Sequence, residues 1–344
     1  MNRRFRTTKT RVIMLCAAAV LTLLFSCASY EYPDNYNLQS KTILSGHTDQ
    51  VLDLALSPDG RFLASASADD TVKIWDAESL REVATIEGHA DDVYSLAFSR
   101  DGSRIVTGCR DGAVRLFSFP ERSLLKTMRG HAEDVYSVAI TPDGNNAISG
   151  GKDTTVRVWD LESGELVQVF RGHGDQVNSV AVSNDGRFAY SAAQDGTLRS
   201  WYLQGGYAPG FIEKLNRFTM VAVAIDSTDT RIAASGLDNV YDEGANQWKK
   251  IYPVYVADIG KNGLENISQK RGHDRAAWAL DWDEERNTLI SGGNDDRMFF
   301  WNLDNGTRQK VLPDMGNIWA IEYDKRSGRI FVASSSGNIL VYRE

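Results

Sequence analysis

Cysteine is scarce in this chain: three in 344 residues, at positions 16, 27 and 109. Two of them lie within the first 27 residues, so the remainder holds a single thiol and no intramolecular disulfide can form there. Cys109 ends an apolar stretch that reads as a strand, and is expected as a small core residue, not a reactive thiol. A long apolar run is also missing. The stretch 12–25 is interrupted by Thr22 and falls short of the roughly 18–20 residues that a spanning helix needs. Positive charge is thin outside the N-terminus. Five of the 38 Lys and Arg (Arg3, Arg4, Arg6, Lys9, Arg11) precede residue 27, where no acid occurs, so the remaining 33 face all 46 Asp and Glu, a net of −13. Such a body repels phosphate backbones, which excludes nucleic acid as an expected partner. No Walker-type loop, zincin helix or Gly-rich dinucleotide fingerprint occurs.

Histidine is scarce too, and its placement is informative. There are five, and each follows a glycine: Gly46-His47, Gly88-His89, Gly130-His131, Gly172-His173 and Gly272-His273. An aromatic residue comes 28 positions after each one (Trp75, Phe117, Trp159, Trp201, Trp301), and the first four units recur every 42 residues. Between these markers the same grammar repeats. Residues 51–56 alternate like a strand. Ser57-Pro58-Asp59-Gly60 signals a turn. Residues 62–67 form a small-residue strand, 71–76 a third and 82–86 a fourth. Four short antiparallel strands per period of about 42 residues make a propeller blade.

The Gly-His openings and Trp-Asp endings (Trp75-Asp76, Trp159-Asp160) resemble the WD repeat, and the match covers almost everything after residue 38. Two further units are worn: one puts Asn216 in the His position and has its third strand at 254–258, the other puts Asp314 there and ends at Leu340-Val341-Tyr342. The expected fold is therefore all-β, a seven-bladed propeller of four-stranded antiparallel blades spanning 38–344. The last unit lacks a fourth strand. Residues 40–44 read like the fourth strands at 125–128 and 167–170, so they are expected beside 338–342, completing the last blade.

Each strong unit holds a His, a Ser or Thr, an Asp and an aromatic residue: His47, Ser65, Asp69, Trp75; His89, Thr107, Asp111, Phe117; His131, Ser149, Asp153, Trp159; His173, Ser191, Asp195, Trp201; His273, Ser291, Asp295, Trp301. These are the residue types of a nucleophilic triad. The resemblance implies instead a structural tetrad tying the loop before strand one to the turn between strands two and three. Five parallel copies have no evident oxyanion hole or substrate access, so no enzyme activity and no catalytic residue is expected. The sets lie a blade apart and do not converge, so neither metal nor cofactor is expected. Asp pairs such as Asp69-Asp70 and Asp91-Asp92 fall in turns, and Glu284-Glu285 reads as a solvated loop charge.

By the same resemblance, the residue five after each His position points to the channel mouth: Leu52, Tyr94, Tyr136, Asn178, Val221, Trp278 and Trp319. Arg110, Lys152 and Gln194 precede their tetrad Asp and should join them. The insertion at 239–250 in unit five would stand on that face with Tyr241 and Trp248. The expected protein-binding face thus includes Tyr94, Tyr136, Trp278, Trp319, Arg110, Lys152 and Trp248, aromatics being enriched in binding hot spots. The insertion also reads as a hairpin whose aromatics pack on each other.

The N-terminus carries a basic segment, an apolar segment and Leu24-Phe25-Ser26-Cys27. This resembles a bacterial lipoprotein signal, with residues 1–26 removed, Cys27 lipidated (palmitate among the acyl chains) and 27–37 a membrane tether. Cleavage after Ala28, or an uncleaved short anchor, fits the same residues. The reading is a monomeric, non-catalytic protein-interaction scaffold, lipid-anchored at the bacterial cell envelope on its periplasmic or surface side. A propeller-based enzyme or small-molecule binder, and a surface adhesin, are the alternatives.

Overall fold

The computed structural model describes residues 38, 40–204, 208–216, 218–242, 244–306, 308–312 and 315–343. The expected signal, Cys27 and the tether lie outside them, as does Asp314. The described residues form seven four-stranded antiparallel sheets. β1 is Ser40–Ser45, and blade one is β2 (Val51–Leu56), β3 (Phe62–Ser67), β4 (Val72–Asp76) and β5 (Arg81–Ile86). Blade two runs from β6 (Val93–Phe98) to β9 (Leu124–Arg129), and blade three from β10 (Val135–Ile140) to β13 (Leu166–Phe170). Blade four is β14 (Val177–Val182), β15 (Phe188–Ala193), β16 (Thr197–Tyr202) and β17 (Pro209–Lys214). Blade five is β18 (Thr219–Ile225), β19 (Arg231–Asp242), β20 (Gln247–Ile259) and β21 (Leu264–His273). Blade six runs from β22 (Ala277–Asp283) to β25 (Arg308–Leu312), and blade seven from β26 (Ile318–Asp324) through β27 (Arg329–Ser334) to β28 (Asn338–Arg343).

The inner strands touch in cyclic order, β2, β6, β10, β14, β18, β22, β26 and back to β2. Closure is by β1, which pairs antiparallel with β28 from Ser40 opposite Arg343 to Ser45 opposite Asn338. Leu44 then shares a core with Leu63 and Trp75 of blade one and with Phe331, Ile339 and Val341 of blade seven. The ring therefore closes through both a hydrogen-bond ladder and buried apolar surface, and no open sheet edge is left at that seam.

The second strand of each blade is buried on both faces, and this explains its small residues. A Cβ on Gly150 would lie 2.6 Å from a methyl of Val177 in the next blade, so only glycine lets the two blades come this close. The turn before that strand is equally regular. In blade one the Gly60 N–H donates to Ser57 O at 2.7 Å with Gly60 at φ +59°, and Ser57 Oγ donates to Asp59 at 2.6 Å.

Adjacent blades are also latched by polar bonds around the channel. Leu96 N–H donates to Asp53 (2.9 Å), Val138 N–H to Ser95 (3.1 Å), Val180 N–H to Ser137 (3.1 Å) and Val223 N–H to Ser179 (3.2 Å). Asp281 and Glu322 continue the belt, accepting from Tyr323 N–H (2.6 Å) and Leu56 N–H (3.2 Å). One expectation needs correction: Glu284 is not a free loop charge. It accepts hydrogen bonds from the backbone N–H and hydroxyl of Ser227, joining blade six to blade five.

Candidate functional site

Every inner strand carries an irregularity at the same register. The ladder skips one residue between Val51 and Asp53, Val93 and Ser95, Val135 and Ser137, Val177 and Ser179, Met220 and Ala222, Ala277 and Ala279, and Ile318 and Ala320. The skipped residues are Leu52, Tyr94, Tyr136, Asn178, Val221, Trp278 and Trp319. A bulge leaves its extra residue unpaired and re-aims the side chain. All seven line one cavity of about 530 Å³ at the channel mouth, with Gln50, Asp92 and Gln176 around it.

The aromatic members stand in two pairs. Tyr94 and Tyr136 meet edge to face with centroids 5.4 Å apart, and Trp278 and Trp319 lie tilted at 5.7 Å. Burial, then the carboxylates of Asp92 and Asp134, push the Tyr94 hydroxyl up to about 12, so it stays a neutral donor. Tyr136 is raised chiefly by burial as well. The indole N–H groups of Trp278 and Trp319 are buried without an acceptor among the described residues. A mouth with aromatic faces and unused donors suits a partner that brings carbonyl oxygens and apolar side chains.

Arg110 and Lys152 sit beside this cavity, not in its wall. Arg110 is within 3.4 Å of Asp92 and 3.7 Å of Asp91, and Lys152 within 3.2 Å of Glu133. Trp248 lies farther out, on the extension of β19 and β20. It is 57% exposed and packs edge to face on Tyr241 at 5.4 Å, with the hydroxyl of Tyr241 donating to Asn246. The base of that hairpin borders Gly272-His273 at the end of β21 and the adjoining Asp274, which places it on the channel-mouth face.

The His sets close in four blades. Nδ1 lies 2.8–3.1 Å from the Asp and Nε2 2.7–2.8 Å from the Ser in the His47, His131, His173 and His273 sets. In each, the indole N–H of Trp75, Trp159, Trp201 or Trp301 donates to that Ser at 2.8 Å. The Asp also accepts from the backbone after the His (Thr48, Ala132, Gly174, Asp274), so the loop is fastened to the turn. Burial lowers His47, His131 and His173 although the carboxylate pulls the other way. Burial raises Asp153, but hydrogen bonds from His131 and Thr155 outweigh it and hold that carboxyl well below its usual range. Ser65, Ser149, Ser191 and Ser291 are 0% exposed, so no substrate reaches these hydroxyls.

Blade two departs from this pattern. His89 meets Thr107 at 3.1 Å, but its Nδ1 makes no hydrogen bond of normal geometry among the described residues, the Asp70 backbone being its nearest polar neighbour in the electrostatics. Asp111 is taken by Arg115 through two bonds of 2.5 and 3.1 Å, and Phe117 has no N–H to donate. Burial and the nearby Arg115 push His89 down to about 4. Blade five replaces the set: Tyr255 donates to Asn216 Oδ1 at 2.5 Å and Asn216 donates to Thr219 O at 2.9 Å. Sequence reasoning missed that tyrosine. It also missed the interblade latch, although Asp53, Ser95, Ser137 and Ser179 recur at the 42-residue period. Among the described residues, the group spaced for a metal is Asp70, Asp91 and Asp92, and Arg110 already compensates two of its members.

The family described as WD domain, G-beta repeat matches residues 38–76, 80–118, 122–160, 164–202 and 265–302, together more than half of the chain. Curated relatives align over about one repeat. A probable cytosolic iron-sulfur protein assembly protein, Ciao1, of Culex quinquefasciatus is 65% identical over 40 residues, 11% of this chain and 12% of its own. Protein Mut11 of Chlamydomonas reinhardtii is 55% identical over 42 residues, 12% of this chain and 11% of its own. The ribosome biogenesis protein ERB1 of Debaryomyces hansenii is 40% identical over 48 residues, 14% of this chain and 6% of its own.

Proposed function

The chain belongs to the WD domain, G-beta repeat family, and from that premise we propose a non-catalytic scaffold that captures a partner peptide or protein loop at the channel mouth. The observation that carries this reading is the set of seven bulged residues. One position per blade is displaced from the ladder, and the seven side chains share a single cavity. Four of them are aromatic, with the packing and the spare N–H donors that binding hot spots use. The names of two matched relatives speak of assembly and biogenesis, in keeping with a role in bringing proteins together.

The second part of the proposal concerns place. Residues 1–26 serve as an export signal, Cys27 carries the lipid, and 27–37 tether the propeller to a bacterial envelope membrane. Its support is the basic segment, the short apolar segment and the Leu24-Phe25-Ser26-Cys27 sequence. Two or more acyl chains give stable anchoring at about 0.8 kcal/mol per buried methylene.

Crosslinking and affinity capture from envelopes test the first part. The Tyr94→Ala, Trp278→Ala double variant should fold and lose the partner recovered with the parent. Unchanged capture refutes the assignment of the mouth. Cys27→Ala tests the second: it should abolish acyl labelling and release the protein from membranes, and retained labelling refutes the lipid site.

A further inference from the structure

The seven blades provide an internal control for each position. In the second and third strands, the cross-strand pair just before the His-bonded residue is apolar in the other six blades: Ala64 with Ile74, Val106 with Leu116, Ile148 with Val158, Ala233 with Val256, Ile290 with Phe300 and Phe331 with Val341. Blade four alone puts hydroxyls there, pairing Tyr190 with Ser200. Both residues are 2% exposed. Ser200 meets a local need, taking the Phe211 N–H where the ladder between β16 and β17 is irregular, whereas the Tyr190 hydroxyl makes no hydrogen bond among the described residues and is not among their sealed, unpartnered polar atoms.

These two residues line a cavity of about 680 Å³ between blades four and five, within the usual range of small-ligand pockets of about 300–1,000 Å³. It opens beside the turns at 183–187 and 260–263, on the face opposite the channel mouth. The Tyr190 hydroxyl has no hydrogen-bond partner among the described residues. Ser200 Oγ accepts from Phe211 N–H at 2.8 Å, and its own proton has no acceptor among them. Gly210 permits this floor, because a Cβ there would sit 2.3 Å from Ser200 Oγ.

The walls define the ligand. Phe188 lies 4.7 Å from Tyr202 and 6.2 Å from Tyr190, and Tyr190 lies 6.0 Å from Phe211, so four rings surround the hydroxyls. Tyr202 is 40% exposed and presents a ring at the entrance. The rim carries Asp185 and Asp229 against Arg187 and Lys261, so it favours neither ionic sign. Asp185 is engaged by Arg187 Nε at 2.5 Å, and Asp229 accepts from Asn184 and Asp185 N–H groups at 2.7 and 2.9 Å. With two carboxylates and two cations on the rim, an ionic ligand of either sign would meet like charge as well as opposite charge, and a purely apolar one would leave both hydroxyls unpaired. A ring with apolar C–H faces and hydroxyl edges satisfies both walls and floor.

We infer that the cavity between blades four and five is a binding site for a neutral saccharide, stacked on Tyr202, whose ring Phe188 supports from behind, and hydrogen-bonded to the hydroxyls of Tyr190 and Ser200. This site is separate from the channel mouth, so its failure leaves the proposed scaffold reading untouched. The test is saturation-transfer NMR and calorimetry on the full chain with cellobiose, maltose and N,N′-diacetylchitobiose at millimolar concentration, with benzyl alcohol as an apolar probe. At least one disaccharide should bind. Tyr190→Phe, which keeps the ring and the packing, should weaken it about fivefold, as expected for one hydrogen bond of roughly 1 kcal/mol. Exposed Tyr202→Ala should weaken it further while the melting temperature stays that of the parent. Binding by none of the three sugars, equal binding by Tyr202→Ala, or preference for benzyl alcohol would overturn the assignment.

Discussion

Ser149 Oγ serves two partners at once, His131 and the indole N–H of Trp159, in a site with no access to water. Such a network is stabilising only while every member is satisfied. The second blade provides the contrast, since its His89 bonds Thr107 alone among the described side chains and its Asp111 is held by Arg115. His131→Leu should therefore cost more than His89→Leu, by roughly 1–2 kcal/mol in urea unfolding, because it removes two hydrogen bonds, to Asp153 and Ser149, where His89→Leu removes one, to Thr107. Equal costs would contradict the residue-level account. Part of this difference was legible beforehand, because Phe117 cannot donate. The capture of Asp111 by Arg115 was not legible. Arg157 occupies the same place in blade three and bonds Asp153 at 3.1 Å without displacing His131.

At the scale of elements, β1 decides whether the ring is a ring. It supplies the fourth strand of blade seven from the other end of the chain and buries Leu44 in the closing seam. Deleting residues 38–45 would expose the β28 ladder and the apolar surface beneath it. An insoluble product, or a large fall in melting temperature, is the expected outcome; a variant melting like the parent would sink the closure argument. The pairing was readable because 40–44 resembles the other outer strands and the last unit lacks one. The bulge in every inner strand was not readable. A one-residue skip depends on how the strand meets its neighbour, which the hydrophobic alternation alone does not encode.

For the molecule as a whole, the interblade belt changes chemistry partway round. Blades two to four latch through Ser95, Ser137 and Ser179, whereas blades six, seven and one use the carboxylates Asp281, Glu322 and Asp53. Burial pushes Asp53 up to about 6. Burial, together with neighbouring acids, also raises Asp281 and Glu322. A carboxyl whose folded value lies above its unfolded one contributes stability that is complete below the unfolded value and is lost as pH rises through the folded one. The Asp53→Asn, Glu322→Gln double variant cannot ionise and keeps one acceptor oxygen at each position, although at position 53 one of the two N–H groups of Leu54 and Leu96 loses its acceptor at every pH. Its melting temperature relative to that of the parent should therefore be higher at about pH 8 than at about pH 4. The lowered histidines act in the opposite sense, but they are common to both proteins and cancel in the difference. A gap independent of pH would contradict this assignment.

The amino-acid sequence by itself determined the blade count, the strand order within each blade and the strand that closes the ring. These follow from a repeat whose period and turn residues are local properties of the chain. Only the tertiary structure decided which side chains face one another across the channel and between blades. The aromatic mouth, the carboxylate latches and the cavity under Tyr190 are made by residues tens to hundreds of positions apart, and their chemistry arises where separate blades meet. The scarce histidines mark the part that local periodicity can specify: four of them fasten a loop to a turn within one repeat, and the fifth, His89, shows where that fastening is incomplete.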